Sequence, residues 1–377
     1  MRYPFLDLAL LNEPLLTELE DAALRVIRSG RYIGGDENEA FNAELAEFHK
    51  APFAIGVSNG LDALRLIIRG YIELGRMKPG DEIIVPGNTY IASLLAVSDN
   101  GLIPVPVDPD ICTMNIDPAK VEAAITPHTR GIMTVHLYGR TAWDDNLRNV
   151  AINHNLIIIE DCAQAIGAVS PTDGLHGSRH AGALGHAGAI SFYPTKNVGA
   201  LGDAGAVITH DHELAAAVKA LANYGSDRRY HNIYRGLNCR LDPIQAAMLR
   251  VKLKHIHEEN TTRRINASMY DELITNPKVI KPMIPQQANE CVWHQYVIRV
   301  PAKQRDTFRE QLKQQGVGTD VHYATPPHLQ PCYSSLPHEP LPITEQLASE
   351  VVSLPITSAT TPADIVAISE IINTIQL

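Results

Sequence analysis

The chain has 377 residues, 45% hydrophobic and 20% charged, a composition ordinary for a globular protein and long enough for two domains sharing a sizeable core. A net charge of -10 argues against a sequence-independent nucleic-acid binder, because phosphate backbones need a basic face, and any anionic ligand must find local positive charge. The opening MRYPFLDLAL has no basic region ahead of an apolar stretch, and no window reaches the roughly 20 apolar residues of a membrane span, so a cytoplasmic protein without a membrane partner is expected.

Residues 1–255 alternate short apolar runs ending in turn residues with longer segments of helical period, the pattern of an α/β domain with a mainly parallel sheet covered by helices. Leu61, Leu64, Ile68, Tyr71 and Ile72 recur at helical spacing and predict a helix over 61–74. The clearest strands are 82–86, 132–136, 156–160 and 205–209. A long helix is expected through 245–260. Beyond it the rhythm changes to a strand near 296–300, a helix near 302–315 ended by Gly316, and a Pro-rich stretch over 325–342. Residues 256–377 therefore read as a smaller α+β domain. Cys112, Cys162, Cys239, Cys291 and Cys332 are odd in number, far apart and free of any CxxC pair. They suggest neither a disulfide framework nor a metal site, and buried free thiols are expected.

In Ala187–Gly202, AGAISFYPTKNVGALG, Lys196 is the single charged residue among small, apolar and aromatic neighbours. An ordinary lysine is a solvated surface cation. Desolvation instead favours the neutral amine, which forms imines with aldehyde cofactors. Upstream, the run 157–159 delivers Glu160 and Asp161 at the carboxyl end of a buried strand, where ligands of open α/β sheets sit. Asp161 reads either as the cap of the next helix or as the carboxylate that a pyridine ring needs at its nitrogen; Gln164 lies one turn on. The stretch GVSNGLDAL, 56–64, is a strand end, a polar turn and a helix start, whose free N–H groups suit a phosphate, although Ser or Asn before a helix is also an ordinary cap. Ser191 adds a hydroxyl. Tyr90, in PGNTY, either enters the same crevice or packs in the core. The segment 223–240, NYGSDRRYHNIYRGLNCR, gathers Arg228, Arg229, Arg235 and Arg240 with Tyr224 in an acidic chain: a solvated loop or an anion-binding one.

Taken together, PFLDL, SGRYIGG, GVSNGLDALRL, PGDEIIVPGNTYIAS, VHLYG, EDCAQAIGA, SFYPTKN with LGDAGAV, GLNCRLDPIQAAML and VHYATPPHLQP, in this order over nearly the whole chain, resemble the DegT-type nucleotide-sugar aminotransferases, within fold type I of the pyridoxal-phosphate enzymes. The resemblance implies that Lys196 is the Schiff-base lysine, Asp161 the partner of the pyridine nitrogen, Gln164 the neighbour of the phenolic oxygen and Tyr90 the aromatic stacked on the ring. It places Gly60, Leu61 and Ser191 in a phosphate cup and gives Asn238 to the cofactor phosphate of the other subunit in a homodimer. Many relatives carry threonine where this chain has Leu61, so only the backbone N–H can serve there. Tyr224, Arg228 and His322 are the implied substrate contacts. The motifs look most like enzymes that aminate C-3 of dTDP-linked 3-keto-6-deoxyhexoses. Glutamate would convert the cofactor to pyridoxamine phosphate and the keto sugar would then take the nitrogen, with Lys196 shuttling the proton. Alternatives are amination at C-4, a dehydratase of the same fold, which would carry histidine in place of Lys196, and a non-catalytic regulator.

Overall fold

Both faces of the central sheet are covered, and the sequence reports this as continuous apolar runs where a half-exposed strand would alternate. The computed structural model describes residues 1–376. Seven strands form one sheet: β1 (Phe53–Val57), β2 (Glu82–Pro86), β3 (Ile103–Val107), β4 (Thr129–Val135), β5 (Ile157–Asp161), β6 (Ala187–Ser191) and β7 (Gly205–Thr209), in the spatial order β1-β7-β6-β5-β4-β2-β3. Only β7 runs against its neighbours, β1 and β6; the other pairings are parallel. The two-residue period of the strands divides each run between two cores. Ile83, Val85, Met133 and Ile159 pack with Leu64, Ile67 and Ile68 of the helix Gly60–Glu73. Ile84, Ile132 and Ile158 face the other way, against Trp143, Leu147 and Val150. Each Leu or Ile buried this fully contributes about 1.5–3 kcal/mol relative to exposure.

The helix Gly60–Glu73 starts where Asn59 Oδ1 accepts the Asp62 N–H at 2.8 Å and stops before Gly75, whose φ of 71° suits a residue without Cβ. The single helix expected through 245–260 is two, Pro243–Leu253 and Ile256–Leu273. The first turn-back explains the break: Lys254 N–H bonds to Val251 O and His255 N–H to Lys252 O, closing the end with tight i to i−3 bonds.

A small exposed hairpin, β8 (Ser226–Arg228) and β9 (His231–Asn232), lies in the arginine-rich segment. The C-terminal part builds an antiparallel pair, β10 (Tyr296–Arg299) and β11 (Val351–Leu354), over a core of Tyr270, Tyr296, Phe308, Leu312, Ile365 and Ile368. Tyr3 joins this core and is held there by backbone bonds of 2.8 Å to Gly316 O and from Gly318 N–H. The Pro-rich stretch forms the 3-10 turns Pro327–Leu329 and Pro331–Tyr333 and returns to the large part of the chain, where the Tyr333 hydroxyl lies 3.0 Å from that of Ser98 at the end of the helix Ile91–Ser98. Burial of the thiols is only partly as expected: Cys162, Cys239 and Cys291 are buried, but Cys112 and Cys332 are exposed because they fall in surface turns. Among the described residues no helix is long and apolar enough to cross a membrane.

Candidate active site

The end of β5 sends Glu160 and Asp161 to opposite faces, and this separates their roles. Glu160 is fully buried and accepts four hydrogen bonds at 2.8 Å, from the N–H groups of Gly182, Leu184 and Gly185 and from His136 Nε2. The Ala142 N–H donates to His136 Nδ1, so the ring carries its hydrogen on Nε2 and gives it to Glu160. His136, Glu160 and Cys162 bring together atoms that could ligate a metal, yet the His136 nitrogens and the carboxylate are already engaged with each other and with the backbone. This group is structural.

Asp161 faces a cavity of about 520 Å³. Its Oδ2 accepts from Ser93 Oγ at 2.8 Å and its Oδ1 from the Ala163 N–H at 3.1 Å. No helix follows for Asp161 to cap: one oxygen closes the turn after β5 while the carboxylate lines the cavity. Lys196 stands in the same cavity, on the turn after β6. Its N–H bonds to Tyr193 O, and the turn is so tight that a Cβ on Gly199 would lie 2.2 Å from Pro194 O. Burial pushes the Lys196 amine down to about 8, with the Asp161 charge opposing the shift. The neutral share of the amine near physiological pH is therefore far larger than for an ordinary lysine, although the protonated form still predominates.

Gly60, Leu61 and Ser191 border the same space. A Cβ on Gly60 would sit 2.6 Å from Ser191 Cβ, so glycine is required for the helix start to close on β6. Asn59 caps Asp62, and the N–H groups of Gly60 and Leu61 find no protein acceptor among the described residues. They form an open cradle at a helix N-terminus, suited to a phosphate. Gln164 is held at both ends, its Oε1 accepting the Tyr138 N–H at 2.5 Å and its Nε2 donating to the Tyr323 hydroxyl at 3.0 Å. Tyr90 is 55% exposed and its ring lies 5.2 Å from that of Tyr323, on the cavity wall. His322 closes the wall from the C-terminal part, with Nδ1 2.9 Å from Ser353 Oγ; burial lowers its pKa to about 4, against the pull of Asp320.

Lys196, Asp161, Gln164, Ser191, Gly60, Leu61, Tyr90 and His322 are thus brought to one cavity. Tyr224, Arg228 and Asn238 are not: all three are exposed, outside this chain's own cavity. Sequence reasoning missed Thr89, Ser93, His294, Gln295 and Tyr323. His294 lies almost a hundred residues beyond Lys196, yet its Nδ1 is 2.9 Å from Oδ1 of the adjacent Asn197, and Asn197 Nδ2 donates to Asn260 at 2.9 Å. Nothing in local pattern announces such a contact. Ser93, one turn after Thr89 on the helix Ile91–Ser98, was within reach of a spacing argument.

An amine poised against a carboxylate, beside an anion cradle and an aromatic face, is what pyridoxal phosphate requires, and these residues fit it. The chain belongs to the DegT/DnrJ/EryC1/StrS aminotransferase family, whose model matches residues 15–373. It is 46% identical over 370 residues to a dTDP-3-amino-3,6-dideoxy-alpha-D-galactopyranose transaminase of Aneurinibacillus thermoaerophilus, covering 98% of each chain. The S. venezuelae DesV structure, solved in complex with a ketimine intermediate, superposes with a TM-score of 0.92 at 42% identity, covering 99% of this chain and 98% of that one. NtdA of Bacillus subtilis, with bound PMP, superposes at 0.89 with 29% identity, covering 99% and 86%. The protein is accordingly a pyridoxal-phosphate-dependent aminotransferase.

Proposed function

We propose that this aminotransferase moves the amino group of glutamate to C-3 of a dTDP-linked 3-keto-6-deoxyhexose, in the synthesis of an amino sugar. The observation that carries the reading is the placement of the Lys196 amine with Asp161 and the open N–H pair of Gly60 and Leu61 in one cavity. The dTDP-sugar and the position of amination are supported by the names of the relatives that align along the full chain.

Bound pyridoxal phosphate would supply an aldehyde and a ring able to take up the electron pair left when a proton leaves carbon. The remaining work belongs to the chain. Gly60, Leu61 and Ser191 hold the phosphate, Tyr90 covers the ring face, Asp161 meets the ring nitrogen and Gln164 the phenolic oxygen. Lys196 holds the cofactor through its amine and, when released, carries a proton to or from the substrate carbon. His322 borders the substrate space as a neutral ring.

A nucleotide sugar brings a diphosphate, but no arginine lines this cavity among the described residues. The exposed Arg228 and Tyr224, with Asn238, serve the cavity of a second copy, so that a homodimer completes both sites. The test is a panel of 3-keto and 4-keto nucleotide sugars with glutamate, read by mass spectrometry. Amination of the 3-keto dTDP-sugar with release of 2-oxoglutarate is expected. Preference for a 4-keto substrate, or no amination of any, would contradict the reading.

A further inference from the structure

Thr89, Ser93 and Asp161 form a chain of hydrogen bonds at the cavity wall, in which Thr89 and Asp161 line the cavity and Ser93 lies behind it. Thr89 is 1% exposed and Ser93 not at all. Their hydroxyl oxygens are 2.9 Å apart, and Ser93 Oγ is 2.8 Å from Asp161 Oδ2. The direction of the chain follows from the chemistry of its end. An ionised carboxylate only accepts, so the single Ser93 hydrogen goes to Asp161. The Ser93 oxygen can then only accept from its neighbour, so the Thr89 hydrogen goes to Ser93. Asp161 Oδ1 is fixed separately by the Ala163 N–H. With one donor on each oxygen, the carboxylate cannot rotate without leaving a buried hydroxyl unpaired, which costs more than the bond itself contributes.

We propose that Ser93, backed by Thr89, is a positioning residue that fixes the plane of the Asp161 carboxylate so that its free lone pairs face the cofactor's ring nitrogen. The inference rests on the reading of Asp161 as partner of that nitrogen. Ser93 itself does not line the cavity. Its influence passes through Asp161, and it should therefore alter the state of the bound cofactor and not merely the amount of folded protein.

The experiment uses the cofactor-loaded protein and compares Ser93→Ala, Ser93→Thr, Thr89→Val and Asp161→Asn. Two quantities are followed: the pH at which the visible absorbance band of the bound cofactor changes, and the rate of cofactor release on dilution. Ser93→Ala should move the pH profile in the same sense as Asp161→Asn and speed release by about tenfold, the size expected for one hydrogen bond to a charged group. Ser93→Thr keeps the hydroxyl and should restore both readouts, while Thr89→Val should shift them in the same sense by less. Should Ser93→Ala fail to fold, Thr89→Val and Ser93→Thr report on the same pair. A Ser93→Ala profile identical to the wild type, alongside a displaced Asp161→Asn profile, would overturn the relay alone. Silence of both variants would overturn the assignment of Asp161 and the relay with it.

Discussion

Lys196 illustrates how one position can be read from its neighbours and still need the fold to explain it. Its isolation in a run of small and apolar residues is plain in the sequence, but the acid that opposes its desolvation lies thirty-five residues upstream on another strand. Burial disfavours the charged amine, so the folded group gives up its proton at lower pH than a free lysine. In the cofactor-free protein, the rate of capture of pyridoxal phosphate should therefore rise with pH to a midpoint near about 8, well below the ordinary lysine value of 10.5. A stopped-flow pH series measures this. A midpoint at the ordinary lysine value would mean that the amine is solvated. The roles of Glu160 and Asp161 were less legible, because two adjacent acids look alike until strand alternation sends them to opposite faces.

At the scale of elements, strand positions came through almost residue for residue at 82–86 and 205–209, where apolar runs are bounded by turn residues. The antiparallel sense of β7 did not, since pairing direction leaves no mark on a run buried on both sides. The break at Lys254 was hidden because neither glycine nor proline marks it. The cup was legible as a turn before a helix, but its tightness was not. The 2.6 Å approach between an added Gly60 Cβ and Ser191 Cβ predicts that Gly60→Ala forces the helix start away from β6. Overpacking of this kind costs about 1–3 kcal/mol, and cofactor affinity should fall by about tenfold or more. Equilibrium dialysis against pyridoxal phosphate decides the point. Unchanged affinity would mean that the cradle lies elsewhere.

At the scale of the whole molecule, the long-range contacts that bring His294 to the cavity belong to tertiary packing and had no local signature, whereas His322 was reached only through the resemblance that the VHYATPPHLQP motif helps to carry. Burial also leaves a mark on stability. His49, His186 and His322 are all pushed by burial down to about 4 from the usual 6.5. Between these limits the unfolded chain binds protons that the folded chain excludes, so stability is full above about 6.5 and falls as pH drops toward 4. Denaturant midpoints at pH 7, 6 and 5 should decrease in that order, whereas a flat series would show that these histidines are protonated in the fold. The dimer reading makes a further demand. Asn238→Ala and Lys196→Ala, each impaired alone, should recover about a quarter of the wild-type activity after random subunit exchange, because a mixed dimer collects both lesions in one site. Failure to complement after verified exchange would rule out shared sites.

The central claim is that the Lys196 amine is the group that holds the cofactor. Borohydride reduction of the cofactor-loaded protein, followed by peptide mass mapping, tests it most directly. The reduced cofactor should be found on the peptide carrying Lys196, and Lys196→Ala should show neither this adduct nor transamination. An adduct on another lysine, or turnover by Lys196→Ala at the wild-type rate, would contradict it.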